Sequence, residues 1–224
     1  MSLLEKLRRR VARSAPESIK PALRRVDPVA KRSSGHGHPD DRREDALRAR
    51  LHEDPNDESA FVELAGIVRR RAAENHAEGD PRRAEDDAVW ALAEEMAGSS
   101  RAWYPLLELG RLSIHDDREG AMRRLATAAE RDATGGALAQ ALSILREEGL
   151  PGDALGLGVG HWRPREHRID AGVQLVHAAV EAGRVSEARR HLEAMSLHPD
   201  SARVEVVQAE LERVIAGAEG SPAR

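Results

Sequence analysis

EEGLPGDAL, running from Glu147 to Leu155, lies over EAGRVSEAR, from Glu181 to Arg189, when the sequence is slid against itself by 34 residues. Gly149 then meets Gly183, Asp153 meets Glu187 and Ala154 meets Ala188, while Leu142 meets Val176 and Leu145 meets Ala179. A unit of this length in helical sequence holds two helices, each with one small apolar face. A single unit cannot bury that face, so it must stack on its neighbour.

The rest of the chain obeys the same pattern from about Arg43 onward. Phe61, Leu64 and Val68 follow Asp57 at helical spacing, Asp80 and Pro81 open a helix containing Val89, Leu92 and Met96, and Gly98 stops it. Ser99 or Ser100 is the expected cap of the next helix, with Leu106, Leu109 and Leu112 as its stripe. Further helices are expected from Arg118, Thr134, Asp153, Ile169, Val185 and Ser201. No run of alternating β-branched residues suggests a strand, so the fold class is all-α.

A period of 34 residues and these residue types resemble the tetratricopeptide repeat. That family's unit places a large apolar residue fourth, leucine seventh, a small residue eighth, glycine fifteenth, alanine twentieth, a large apolar residue twenty-fourth and alanine twenty-seventh. A proline comes near the thirty-second place. Counted from Ile169, Leu175, Gly183, Ala188 and Leu192 fit, with Pro199 one place early. Counted from Glu58, Phe61, Leu64 and Ala65 fit; counted from Trp103, Leu106, Leu109 and Gly110 fit, with Ala121, Leu125 and Ala128 one place early. Starts at 58, 103, 135 and 169 leave an insertion in AAENHAEGDP, Ala72 to Pro81. In the third unit Gly158 and His161 take the twenty-fourth and twenty-seventh places, so an irregular or kinked hairpin is expected from Asp153 to Trp162.

The resemblance implies a tetratricopeptide-like α-solenoid of helical hairpins over residues 43–217, whose concave groove holds a peptide or partner protein. The positions that face this groove in the family are Arg69 and Arg70 in the first unit and Tyr104, Arg111 and His115 in the second. Arg146 follows in the third, and Asp170, Val173 and His177 in the fourth. A locally basic groove follows, suited to carboxylates because guanidinium groups bind them in a bidentate way. The competing reading is that these arginines are ordinary solvated helix charges. Where chaperone-tail binders of the family carry a Lys and Asn clamp, this chain has Val62, Gly66, Glu108, Gly136 and Gln140, which disfavours that ligand.

Charge separates the chain into a basic arm and an acidic body. Residues 1–32 hold ten Lys or Arg against three acids, a net of +7, which leaves −11 for the remainder of a chain with net charge −4. Within the arm, Leu3, Leu4, Leu7 and Val11 share a helical face beside Arg8, Arg9, Arg10 and Arg13, and Arg24 and Arg25 follow after Pro16. Such an arm either caps the first repeat or meets an anionic membrane surface, a nucleic acid or an acidic protein. Residues 33–42, rich in Gly, Ser and Pro, read as a flexible linker, and 218–224 as a disordered tail.

Composition removes other classes. With 1 Phe, 1 Tyr and 3 Trp there is little to stack on bases or sugars, and without cysteine there are no thiolate sites. No apolar run is long enough to span a membrane and no secretory signal is present, so a cytoplasmic location is expected. Arg in place of Lys with abundant Ala is the usage of a GC-rich, bacterial-type genome and carries no functional weight. GLGVGH, Gly156 to His161, lacks the spacing and Lys-Ser/Thr of a phosphate loop. His36, His38, His161 and His167 lack the acids of a metal motif. No cofactor, metal or catalytic constellation is expected, and Trp162 is expected to plug the space between hairpins.

Overall fold

The computed structural model describes residues 39–75 and 80–220, and among them every regular element is an α-helix. The ten helices are α1 (Pro39–Glu53), α2 (Glu58–Asn75), α3 (Pro81–Ala97), α4 (Tyr104–Ser113) and α5 (Arg118–Arg131), then α6 (Gly136–Glu147), α7 (Pro151–His161), α8 (Ile169–Glu181), α9 (Val185–Met195) and α10 (Ser201–Glu219). The basic arm, including Arg8, Arg9, Arg10, Arg13, Arg24 and Arg25, lies outside the described residues, as do most of the expected linker and the middle of the 72–81 insertion.

Four of the ten helix starts are capped by the aspartate that precedes them. Asp80, Asp117 and Asp200 accept hydrogen bonds from the first free backbone N–H groups of α3, α5 and α10, and Asp57 does so for α2 through Ala60. The start of α4 is different. Neither Ser99 nor Ser100 caps it; Asn56, from the turn between α1 and α2, reaches across and accepts from the N–H groups of Trp103 and Tyr104 at 2.7 and 3.0 Å. The same side chain donates to the carbonyl of Arg101 at 2.9 Å, so one residue fixes the entry of α4 against the preceding helix pair.

Helices α6 and α7 start at Gly136 and Pro151, two residues from the expected Thr134 and Asp153, and both ends of the helical domain lie outside the expected bounds. Pro39 to Arg42, expected in the linker, form the first turn of α1: proline suits the first helical position, and Asp40 and Asp41 favour a helix N-terminus. Arg70 and Arg71 of α2 pair with those two acids at 3.4 and 2.7 Å. At the other end α10 continues to Glu219, held by a bidentate pair with Arg189 of α9 at 2.6 and 2.9 Å.

Packing runs along the chain. Each helix lies against the next, and the next-but-one contacts join α4 to α6, α6 to α8, α8 to α10 and α5 to α7. Leucines fill the spaces between them: Leu64, Leu107, Leu125, Leu138, Leu142, Leu145 and Leu175 are fully buried, each contributing about 2 kcal/mol relative to exposure. Buried Ala121, Ala128, Ala154 and Ala188 let the paired axes approach.

The turns after α6 and α8 are the same structure placed 34 residues apart. Gly149 and Gly183 have φ of 72° and 71°, a region closed to most residues by the Cβ. Each donates to the carbonyl three residues back, and Leu150 and Arg184 donate to Leu145 and Ala179, five residues back. This pairing satisfies carbonyls that the helix end leaves open.

Where an irregular hairpin is expected from Asp153 to Trp162, α7 is one unbroken α-helix from Pro151 to His161, continuous through Gly158. Gly158 is there for space. A Cβ on it would lie 2.5 Å from Cδ1 of Leu175 and 3.3 Å from Cδ1 of Leu142, so the missing side chain admits two core leucines. Among the described residues no helix is long and apolar enough to cross a membrane.

Candidate protein-binding face

The residues expected to line a groove come from α2, α4, α6 and α8 and the turn after α4. Arg69 is half-buried near the end of α2, and Arg70 beside it is turned to Asp40 of α1. Tyr104 is 5% exposed and sits in the core, its ring edge-on to Phe61 at 5.4 Å. Burial, with Glu108 and Glu58 nearby, pushes its hydroxyl up to about 12. Little of it remains for a ligand.

Arg111, His115 and Arg146 already have acidic partners. Arg111 donates to Glu108 at 2.5 Å, a bond that holds its guanidinium above the ordinary arginine value. His115 Nε2 lies 2.9 Å from Glu148. Arg146 forms a two-pronged pair with Glu181 of α8, at 2.9 Å from Nε and 2.5 Å from Nη2, and also donates to Gln174. The basic groove read from sequence is therefore locally neutralised. An incoming carboxylate must displace an intramolecular one.

One group of candidates is brought together. Arg146 on α6 and His177 on α8 share a neighbourhood with Glu181, and Glu210 of α10 also faces His177. Burial first, then the charge of Arg146, lowers the His177 pKa below the usual histidine value. Asp170, at the start of α8, pairs with Arg168 at 3.1 Å and with Arg203 of α10 at 3.4 Å. On α2, Val62 is 57% exposed and Gly66 has open space where a Cβ would stand, and on α8 Val173 is half-buried.

Separations of the pairs that cross between helices vary, from 20 residues for Arg43 with Glu63 to 47 for Arg48 with Glu95, and four of them fall close to 34. Arg118 with Asp153 and Arg146 with Glu181 are 35 residues apart, and His115 with Glu148 and Arg203 with Asp170 are 33 apart. Arg131 of α5 adds a cluster of backbone contacts, donating to the carbonyls of Ser99 and Ala102 at 3.0 and 2.8 Å.

Sequence reasoning missed a cavity of about 760 Å³ between the start of α3 and the α4–α5 turn. Asp80, Arg82, Arg83, Asp86 and Asp87 form one wall, with Ser113, Asp116 and Asp117 opposite. Trp90 closes it, with the Arg124 guanidinium 5.0 Å above its ring and bonded to Ser113 Oγ at 3.1 Å. Asp86 and Asp87 read in sequence only as acids near a helix start, because the opposite wall comes from a later helix pair. Among the described residues no cluster of three His, Asp or Glu is placed to hold a metal, and Gly156 to His161 lie inside α7.

Comparison with family models, curated proteins and solved structures gives no match.

Proposed function

We propose that this protein is a non-enzymatic scaffold: a tetratricopeptide-like solenoid over residues 39–220 that holds a peptide or partner protein on the face formed by α2, α4, α6 and α8. The observation that carries the reading is the recurrence, 34 residues apart, of one hydrogen-bonded turn at Gly149 and Gly183. Four cross-helix pairs in the α4–α10 part of the chain, at separations of 33–35 residues, agree with that period, while those of α1 to α3 do not follow it. Stacked hairpins leave one side of each first helix without a helical neighbour, and that side is where a partner fits.

The chemistry of the face narrows the partner. Arg70, Arg111 and Arg146 each have a carboxylate in place, so the ligand is held through Val62, Gly66 and Val173 and through exchange of the Arg146 hydrogen bond at Gln174, more than by net charge. A photo-crosslinking residue at position 62, 69 or 177 of the full chain is expected to give partner adducts in cells. The same residue at exposed Gly156 or Gly160 on α7 is expected to give none. Adducts only from α7, or equally from both sets, would remove the assignment.

A second reading rests on the +7 charge of residues 1–32 against the acidic remainder, and makes the protein a binder of an anionic membrane surface or nucleic acid. Under it, binding to anionic vesicles or to DNA or RNA weakens steeply with salt and disappears when residues 1–32 are removed. Adducts at positions 62, 69 and 177 survive that removal if the scaffold reading holds.

A further inference from the structure

Three imidazoles from separate parts of the chain converge on Trp162, in the connection between α7 and α8. The indole is wedged over Gly172 of α8, where a Cβ would meet Cζ2 at 2.8 Å, and Met195 of α9 lies 3.2 Å from the same point. His191 of α9 meets the indole edge-to-face, with ring centroids 6.1 Å apart and planes at 79°. Its Nε2 is buried without a hydrogen-bond partner. His167 and His198 line one small void with Trp162, Pro164 and Met195.

His167 and His191 are held in the neutral state by what they touch. His167 is 5% exposed and packs on Gly135 at the head of α6, where a Cβ would be 2.6 Å from its ring. Its Nδ1 accepts from the backbone N–H of Arg163 at 3.4 Å, and the neighbouring Arg168 N–H donates to the Thr134 carbonyl at 2.8 Å. Nδ1 of His198 likewise accepts from the N–H of Asp200 at 3.0 Å. Together these contacts fasten the 162–168 connection to α6 on one side and to α8 and α9 on the other.

We propose that this junction is an acid-sensitive latch: protonation of His167 and His191 releases the 162–168 connection and exposes Trp162, while the helices on either side persist. A proton on Nδ1 of His167 turns an acceptor into a donor aimed at another donor. A proton on His191 places charge in a pocket that offers Nε2 no acceptor.

The acids nearby favour the protonated histidines but do not outweigh burial. His167 faces Arg163 and Glu166 of its own connection, His161 from the end of α7, and Asp132 from the α5–α6 turn. That carboxylate is already bonded to Ala137 and Thr134. His191 faces Glu187 and Arg190 of its own helix and the indole opposite. Burial lowers both histidines below the ordinary value of 6.5, with the Arg163 charge adding to the effect at His167. Because the open state binds protons more readily than the closed one, the latch holds above that value and weakens as the pH falls through and below it.

The test follows tryptophan emission of the full chain from about pH 7.5 to 5, with helix content read by circular dichroism in the same samples. The expected result is a red shift beginning below about pH 6.5 with helix content unchanged, missing from the Trp162→Phe protein and abolished in the His167→Gln/His191→Gln double variant. Should that variant fail to fold, the imidazole resonances of the unaltered chain decide instead. Two histidines are expected to titrate below about 6.5 together with indole exposure. A flat emission profile, a shift that coincides with loss of helix, a shift that survives the double variant, or histidines that all titrate at the ordinary value would overturn the proposal.

Discussion

Asp132 is 8% exposed, accepts from the N–H of Ala137 at 2.7 Å and of Thr134 at 3.0 Å, and takes the Thr134 hydroxyl at 2.8 Å. Burial works against its charge, yet the bonds from Ala137 and Thr134 outweigh burial and leave its pKa below the ordinary carboxylate value. Such a group stabilises the fold above about pH 4, and that contribution is lost as the pH falls through its folded-state value. Asp132→Ala is expected to cost about 2 kcal/mol at neutral pH, read from the urea midpoint, and less at pH ~3. An equal cost at both pH values would contradict this. Asp132 is not legible in the sequence as a buried cap, since its partners lie two to five residues on in what looks like a plain turn. Asn56 is less legible still: it caps α4 from 47 residues away, and no local rule links it to Trp103.

The helices themselves are legible because apolar spacing, N-terminal aspartates and turn glycines are local signals, and α8, α9 and α10 begin at the expected residues. What sequence does not separate is the work of neighbouring glycines in α7. Gly156 and Gly158 look alike in GLGVG, yet only one faces the core. A Cβ added to Gly156 would meet no neighbouring atom within 4 Å, so Gly156→Ala is expected to stabilise by about 0.5–1 kcal/mol through helix propensity alone. Gly158→Leu forces Leu175 and Leu142 aside and is expected to cost about 2 kcal/mol. Thermal melts of the two variants, shifting in opposite directions, check the assignment. The groove residues fare differently from the helices. Apolar spacing puts all of them but His115 on helices, whereas the carboxylates that neutralise Arg111 and Arg146 are not legible, because charge pairing depends on rotamers, with Glu108 on the same helix and Glu181 on another.

At the scale of the molecule each helix leans on the next, and several on the next but one, which is the contact pattern of a stability built in series. In such an arrangement a defect near one end stays there, whereas a single closed core loosens throughout. Leu192 of α9 is 5% exposed, and Leu192→Ala should remove about 2–5 kcal/mol from its surroundings. Native-state hydrogen exchange of that variant is the most direct measurement. Faster exchange confined to α8, α9 and α10, with α2 to α5 protected as before, is the predicted result; a uniform rise across all the helices would contradict serial stacking and the scaffold reading built on it.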